Sequence, residues 1–351
     1  MTLEKKDFVS KKIKLDLQAG RPENSSSWDL PVWGHPLSMG VFPLFAVANV
    51  TNNAQLIPVG SSFCISNKIG VLVTAEHNIR ESLNHHWKGS NLLQRDQLPE
   101  SFELNDMGLA VFHHSKTGDN TYSANVWPLE SLHGAQPTDV IYGFPKFQTQ
   151  FPILSFPVSF AVPRIGSKIT CVGYIDSLPK NGISIDSLKV NWSEVYSHKF
   201  RAVEGRVTRI FTQRFTNGYL KGPCIVIDVD LPHGMSGGPA FNEQGHICGV
   251  VSAGASMYFN APAGIVSLLY PTLLTRIEFG LEVGAVRVNA KQTVRDLVAQ
   301  GAIHTDGSEN LFISTLEEGK TIINPMIHKE DRSFVHNDFS GYQAEEQADR
   351  R

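Results

Sequence analysis

Cysteine is scarce in this chain of 351 residues. There are four, Cys64, Cys171, Cys224 and Cys248, and no two of them form a Cys-x-x-Cys pair. Thiols so few and so scattered exclude a disulfide scaffold and a zinc ribbon, and they predict reduced thiols buried in strands. Long hydrophobic runs are missing as well. None reaches the roughly 18 residues that a membrane-spanning helix needs. The first thirty residues carry scattered charges without the apolar core of a secretory leader. The expected setting is therefore cytoplasmic, with no membrane partner. Nor does one sign of charge dominate. The 31 Lys and Arg against 34 Asp and Glu leave a net charge of −3, which argues against a nucleic-acid partner. With 41% hydrophobic and 19% charged residues, a wholly disordered or coiled-coil chain is excluded too.

Metal and nucleotide signals are equally thin. His85-His86 and His113-His114 are adjacent pairs, and neighbours on a strand point to opposite faces, so neither pair suits one metal ion. Exposed histidines and no metal are expected. Gly319-Lys320-Thr321 echoes a phosphate-binding loop, but Ser314 stands where such a loop needs glycine. No cofactor is expected.

What the chain does have is a series of short apolar stretches separated by Gly, Pro, Asn and Asp. They are Val41–Val50, Leu56–Ile65, Gly70–Ala75, Met107–His113, Asp139–Phe144, Ile169–Tyr174, Arg206–Phe211, Cys224–Asp230, His246–Val251 and Gly264–Leu268. Many short strands with turn signals between them predict an all-β sandwich or barrel. Residues 1–39 read as a polar extension, 40–284 as the main domain, 285–327 as a small appended β/α element and 328–351 as a charged, loose tail. Helical texture comes late: Ser267–Phe279 has apolar residues at mixed spacing, and Thr293–Gly301 predicts a short helix closed by glycine.

Three motifs carry chemistry. Pro232-His233-Gly234-Met235-Ser236-Gly237-Gly238-Pro239 lies between two apolar strands. Small neighbours let the backbone fold so that the Gly234 and Ser236 amides converge beside the hydroxyl, as an oxyanion site requires. A serine needs a base. His77 has the right setting, following the strand Gly70-Val71-Leu72-Val73-Thr74 and the turn Ala75-Glu76. A carboxylate to orient the imidazole is expected from Asp106, at the head of Asp-Met-Gly-Leu-Ala-Val-Phe.

The order His77, Asp106, Ser236 and the surrounding motifs resemble the trypsin-like (chymotrypsin-fold) serine peptidases, particularly their bacterial intracellular and Deg-like members. That resemblance implies two six-stranded antiparallel β-barrels, the first over about 40–130 and the second over about 135–280, with the triad in the cleft between them. It also implies that Asp230, six residues before the nucleophile, forms the base of the primary pocket. Ser252, Ala253 and Gly254 would form one wall, Gly264 a second, and His233 the rim. Ser252 would also bond the triad carboxylate. A carboxylate at that base would favour Lys or Arg. The alternation Ile-Asp-Val-Asp-Leu equally fits Asp228 and Asp230 on a solvated strand face. Three departures stand out: Glu76 replaces a small residue before the histidine, Met235 replaces an acid used in zymogen activation, and Asn78 follows His77 where a disulfide usually sits.

The expected activity is hydrolysis of peptide bonds in a protein or peptide substrate. A catalytically silent barrel that binds a partner, motivated by Glu76 and Met235, and an esterase using the same triad are the alternatives. Residues 285–351 are long enough to dock on the cleft or on a regulatory partner.

Overall fold

The computed structural model describes residues 17–18, 20–48, 55–86, 101–103, 108–116, 122–134, 138–145, 153–179, 196–212, 222–259, 261–283, 286–309, 312–315 and 321–336. Twelve strands carry the architecture. The first six are β1 (Val41–Ala48), β2 (Gln55–Ser66), β3 (Val71–Thr74), β4 (Gly108–Lys116), β5 (Tyr122–Gly134) and β6 (Ile141–Pro145). They close in the order β1-β2-β3-β6-β5-β4 and back to β1, every pairing antiparallel. The other six are β7 (Lys168–Pro179), β8 (Tyr196–Phe211), β9 (Cys224–Ile227), β10 (Pro239–Phe241), β11 (Ile247–Gly254) and β12 (Gly264–Leu268). They repeat the same circuit, β7-β8-β9-β12-β11-β10, again antiparallel throughout. Closing each sheet on itself removes its exposed edges.

The sequence pattern explains the strands. Val71–Thr74 and Cys224–Ile227 are buried at every position, so they read as continuous apolar runs. The largest core cluster joins residues of both barrels, including Phe63, Val73 and Tyr142 of the first and Tyr174, Phe200 and Val250 of the second. A separate cluster around Phe42, Leu44, Leu109 and Trp127 fills the first barrel.

Two strands escaped the sequence reading. β5 is interrupted by polar residues and Pro128, and β10 has three residues. The first barrel accordingly runs on through Pro145, past the expected break near 130–135. Part of the polar extension joins the fold: Ser27–Leu30 adds a strand to β8, and Trp28 and Leu30 are buried. Ser267–Phe279 is not a helix. It ends β12, passes through a tight 3-10 turn at Tyr270–Leu274 and starts a hairpin, β13 (Arg276–Val283) with β14 (Val286–Thr293).

A helix of 11 residues, α1 (Glu76–His86), follows β3. The predicted late helix is α2 (Val294–Ala299), opened by a reciprocal capping box between Thr293 and Asp296. It docks on the barrels through the buried side chains of Val294 and Leu297, joined by Ile303 after the helix. Just beyond it, the Ala302 carbonyl accepts from Ser66 Oγ at 2.6 Å. The expected tail is likewise anchored as far as His336, where Val335 and His336 pair in parallel with Ile210 and Phe211. Among the described residues, no helix is long and apolar enough to cross a membrane.

All four cysteines are free and buried. Burial pushes the thiols of Cys64, Cys224 and Cys248 up to about 12. His113 departs from expectation. It is fully buried, its ring stacked on Trp127 at 4.4 Å, and burial lowers its pKa to about 4.

Candidate active site

The strand order dictates which carboxylate meets His77. β3 ends at Thr74, and its neighbour β6 runs antiparallel with Thr74 opposite Ile141. The residues just after β3 and just before β6 therefore lie together. Asp139 is fully buried there, with its Oδ2 2.8 Å from His77 Nδ1 and its Oδ1 accepting the His77 backbone N–H at 2.9 Å. One carboxylate thus fixes the ring and also satisfies an amide in the first turn of α1, where negative charge is favoured by the helix dipole. With Nδ1 as the donor, Nε2 is the basic nitrogen of the imidazole.

This corrects the sequence expectation. Asp106 lies outside the described residues and precedes β4, which pairs with β1 and β5 rather than with β3. Asp139-Val140-Ile141 was read only as the start of a strand. Both aspartates precede an apolar strand, and the pairing of β3 with β6 is what puts Asp139 beside His77.

Ser236 sits on two consecutive turns. Pro232 O accepts from Met235 N at 3.3 Å, and Met235 O accepts from Gly238 N at 2.9 Å. Each turn has glycine at its third position with positive φ, +94° at Gly234 and +86° at Gly237. A Cβ on Gly234 would come within 2.8 Å of Tyr174 O, and one on Gly237 would collide with the Ser61 carbonyl oxygen. Glycine is required at both. Met235, between them, is fully buried in the core shared by the barrels. It anchors the loop by apolar packing where the resembled family has an activating acid.

The first barrel holds this loop through residues the sequence reading passed over. The Ser236 carbonyl accepts from Ser61 N at 2.7 Å and from Asn78 Nδ2 at 2.9 Å. Ser61 Oγ donates to Gly234 O at 3.0 Å and accepts from Tyr174 N at 2.9 Å. Asn78 directly follows His77, so a single segment both presents the imidazole and ties down the serine loop. Its signal was the amide in the position of an absent cysteine.

A cavity of about 280 Å³ opens between the barrels, lined by His77, Asn78 and Val59 from the first and by Leu231–Gly234, Ser236 and Val251–Gly254 from the second. Ser236 and His77 thus share one cleft. The Ser236 hydroxyl donates to Ser252 O at 2.8 Å. Among the described residues, the Gly234 and Ser236 amides have no internal acceptor. His233 is exposed, and it lines the cavity together with Ser252, Ala253 and Gly254.

Three expectations fail. Asp230 lies beyond the end of β9, is exposed, accepts from Ser256 Oγ and does not line the cavity. Ser252 Oγ is engaged by Ser267 Oγ at 2.7 Å instead of by the triad carboxylate. Gly264 is buried behind Leu231 and is not a cavity wall. Glu76, for its part, pairs with Arg80 at 2.6 Å. Among the described residues, no cluster of three or more His, Cys, Asp or Glu could hold a metal ion.

The chain has the trypsin-like two-barrel fold. Its strand circuit, closed twice in the same order, establishes this directly. No protein-family profile matches the sequence, and no curated protein matches it. Among solved structures, the active form of the Rv3671c protease from M. tuberculosis is 17% identical. That match covers 71% of this chain and 85% of that one, with a TM-score of 0.43. The MamO protease domain from Magnetospirillum magneticum is 14% identical over 67% of this chain and 94% of that one, with a TM-score of 0.39.

Proposed function

We propose that the protein is a serine endopeptidase whose triad is Ser236, His77 and Asp139. The observation that carries this reading is the buried Asp139 carboxylate 2.8 Å from His77 Nδ1, in a cleft that the imidazole shares with a glycine-flanked serine. Attack requires the Ser236 hydroxyl to exchange its bond to Ser252 O for one to the imidazole that shares its cavity. His77 then removes the proton as Oγ attacks the scissile carbonyl, and later returns it to the leaving amine. Asp139 holds the tautomer and stabilises the imidazolium. The Gly234 and Ser236 amides receive the oxyanion, a contribution worth about 3 kcal/mol per donor in comparable sites.

The features that motivated a silent barrel have structural partners: Glu76 has Arg80 and Met235 has the core. The test is digestion of an unbiased peptide library by wild type and by Ser236→Ala. Cleavage by the first and none by the second is expected. Equal cleavage by both would remove Ser236 from the mechanism, and hydrolysis of simple esters alone would assign an esterase.

A further inference from the structure

We infer that Leu231 closes the primary side-chain pocket, so that this protein accepts only Gly, Ala or Ser on the acyl side of the cleaved bond. The inference rests on the reading of Ser236 as the group that attacks. It replaces the basic-residue preference expected from the sequence.

The substrate path comes first. Among the described residues, the outer edge of Ser252–Gly254 has no strand partner, whereas its inner edge pairs with β12 through Ala253 opposite Ile265 and Gly254 opposite Gly264. An extended peptide adding to that edge places its backbone beside Ser236 and turns a side chain between Gly254 and Leu231. That gap is narrow. A Cβ placed on Gly254 would already crowd Leu231 O at 3.2 Å, so the two walls leave no room between them for a large side chain.

The floor is equally shut. Leu231 is almost fully buried, and its side chain lies flat on Gly264, where an added Cβ would be 2.5 Å from Leu231 Cγ and 2.6 Å from Cδ1. The leucine therefore fills the space that two facing glycines, Gly254 and Gly264, would otherwise open. A long cationic side chain has no passage between these walls toward Asp230, which faces solvent. The remaining lining on this side, Val251, Ala253 and Leu231, is apolar and carries no charge to meet a Lys or Arg.

The experiment measures kcat/KM for peptides identical except for Ala, Leu, Phe or Arg at the residue before the cleaved bond. Binding of the same peptides to Ser236→Ala is measured in parallel by calorimetry. Ala is expected to exceed each larger residue at least about tenfold, as steric exclusion from an apolar slot allows. Leu231→Ala should narrow that ratio for Leu and Phe at least about tenfold, and Leu231→Val should do so partially if the alanine variant does not fold. Asp230→Asn should leave every ratio unchanged. Equal or better use of Arg or Phe by the wild type overturns the inference, as does loss of an Arg preference in Asp230→Asn. The binding series separates the two levels of the argument. An enzyme that cleaves nothing yet binds the Ala peptide best keeps the pocket assignment and loses the peptidase, whereas cleavage with the reverse preference does the opposite.

Discussion

The first barrel delivers its two groups as a finished pair, whereas the second delivers its serine on a loop that the first barrel must hold in place. His77 and Asp139 sit at adjoining ends of β3 and β6 within one closed sheet, and their geometry follows from a single strand pairing. Ser236 rides on two glycine turns whose carbonyls are fastened across the cleft by Ser61 and Asn78. The difference teaches that the His77–Asp139 pair is a property of one barrel's topology, while the placement of Ser236 is a property of the interface. Damage to either is predicted to be different in kind.

The largest effect is expected inside the first barrel. Asp139→Asn should lower kcat by about 10⁴-fold, because the amide disturbs the histidine tautomer. Asp106→Asn should change it by less than about twofold. Steady-state kinetics of the two variants side by side break the comparison if their ranks reverse.

The nucleophile loop comes next. Gly234→Ala forces a side chain into positive φ and against Tyr174 O, and it tilts one oxyanion donor. A loss in kcat of about 100-fold is expected from that donor alone, with circular dichroism checking that the barrels persist. Asn78→Ala removes one of two donors on the Ser236 carbonyl. A net hydrogen bond of about 1 kcal/mol converts to a fall in kcat of roughly fivefold. KM should hold, because Asn78 acts through the position of the serine loop. A rise in KM at constant kcat would instead make Asn78 a substrate contact.

The smallest effect concerns stability, and it is shared between the barrels. Burial lowers the pKa of His113 in the first and of His198 in the second to about 4. Between that value and about 6.5, the unfolded chain binds protons that the folded chain does not, so both groups make stability rise with pH. Thermal melting should fall on acidification from about pH 6.5 toward 4, and His113→Phe and His198→Phe should each flatten part of that slope. An unchanged slope in both variants would place the acid sensitivity elsewhere.

Much of this was legible in the sequence because the relevant signals are local. Ten apolar stretches marked barrel strands, the strand-turn-His77 segment marked the histidine proposed as base, and Gly-Met-Ser-Gly-Gly marked a loop that glycine alone can form. The acid was not legible, because its identity depends on which strands are neighbours. Asp106 and Asp139 each precede an apolar strand, and only the pairing of β3 with β6 separates them. The specificity pocket failed for a similar reason. Counting six residues back from Ser236 reaches Asp230, which is exposed, whereas its neighbour Leu231, in the irregular segment after β9, is buried against Gly264. Ser61 carried no signal because a carbonyl clamp leaves no compositional trace, and Asn78 stood out only as a departure beside His77.

The central claim is most directly tested by treating the protein with a small fluorophosphonate and locating the adduct by mass spectrometry, in wild type and in His77→Ala. The account predicts one modified residue, Ser236, with labelling slowed by orders of magnitude when the imidazole is gone. An adduct elsewhere, none at all, or equal labelling in both proteins would contradict it.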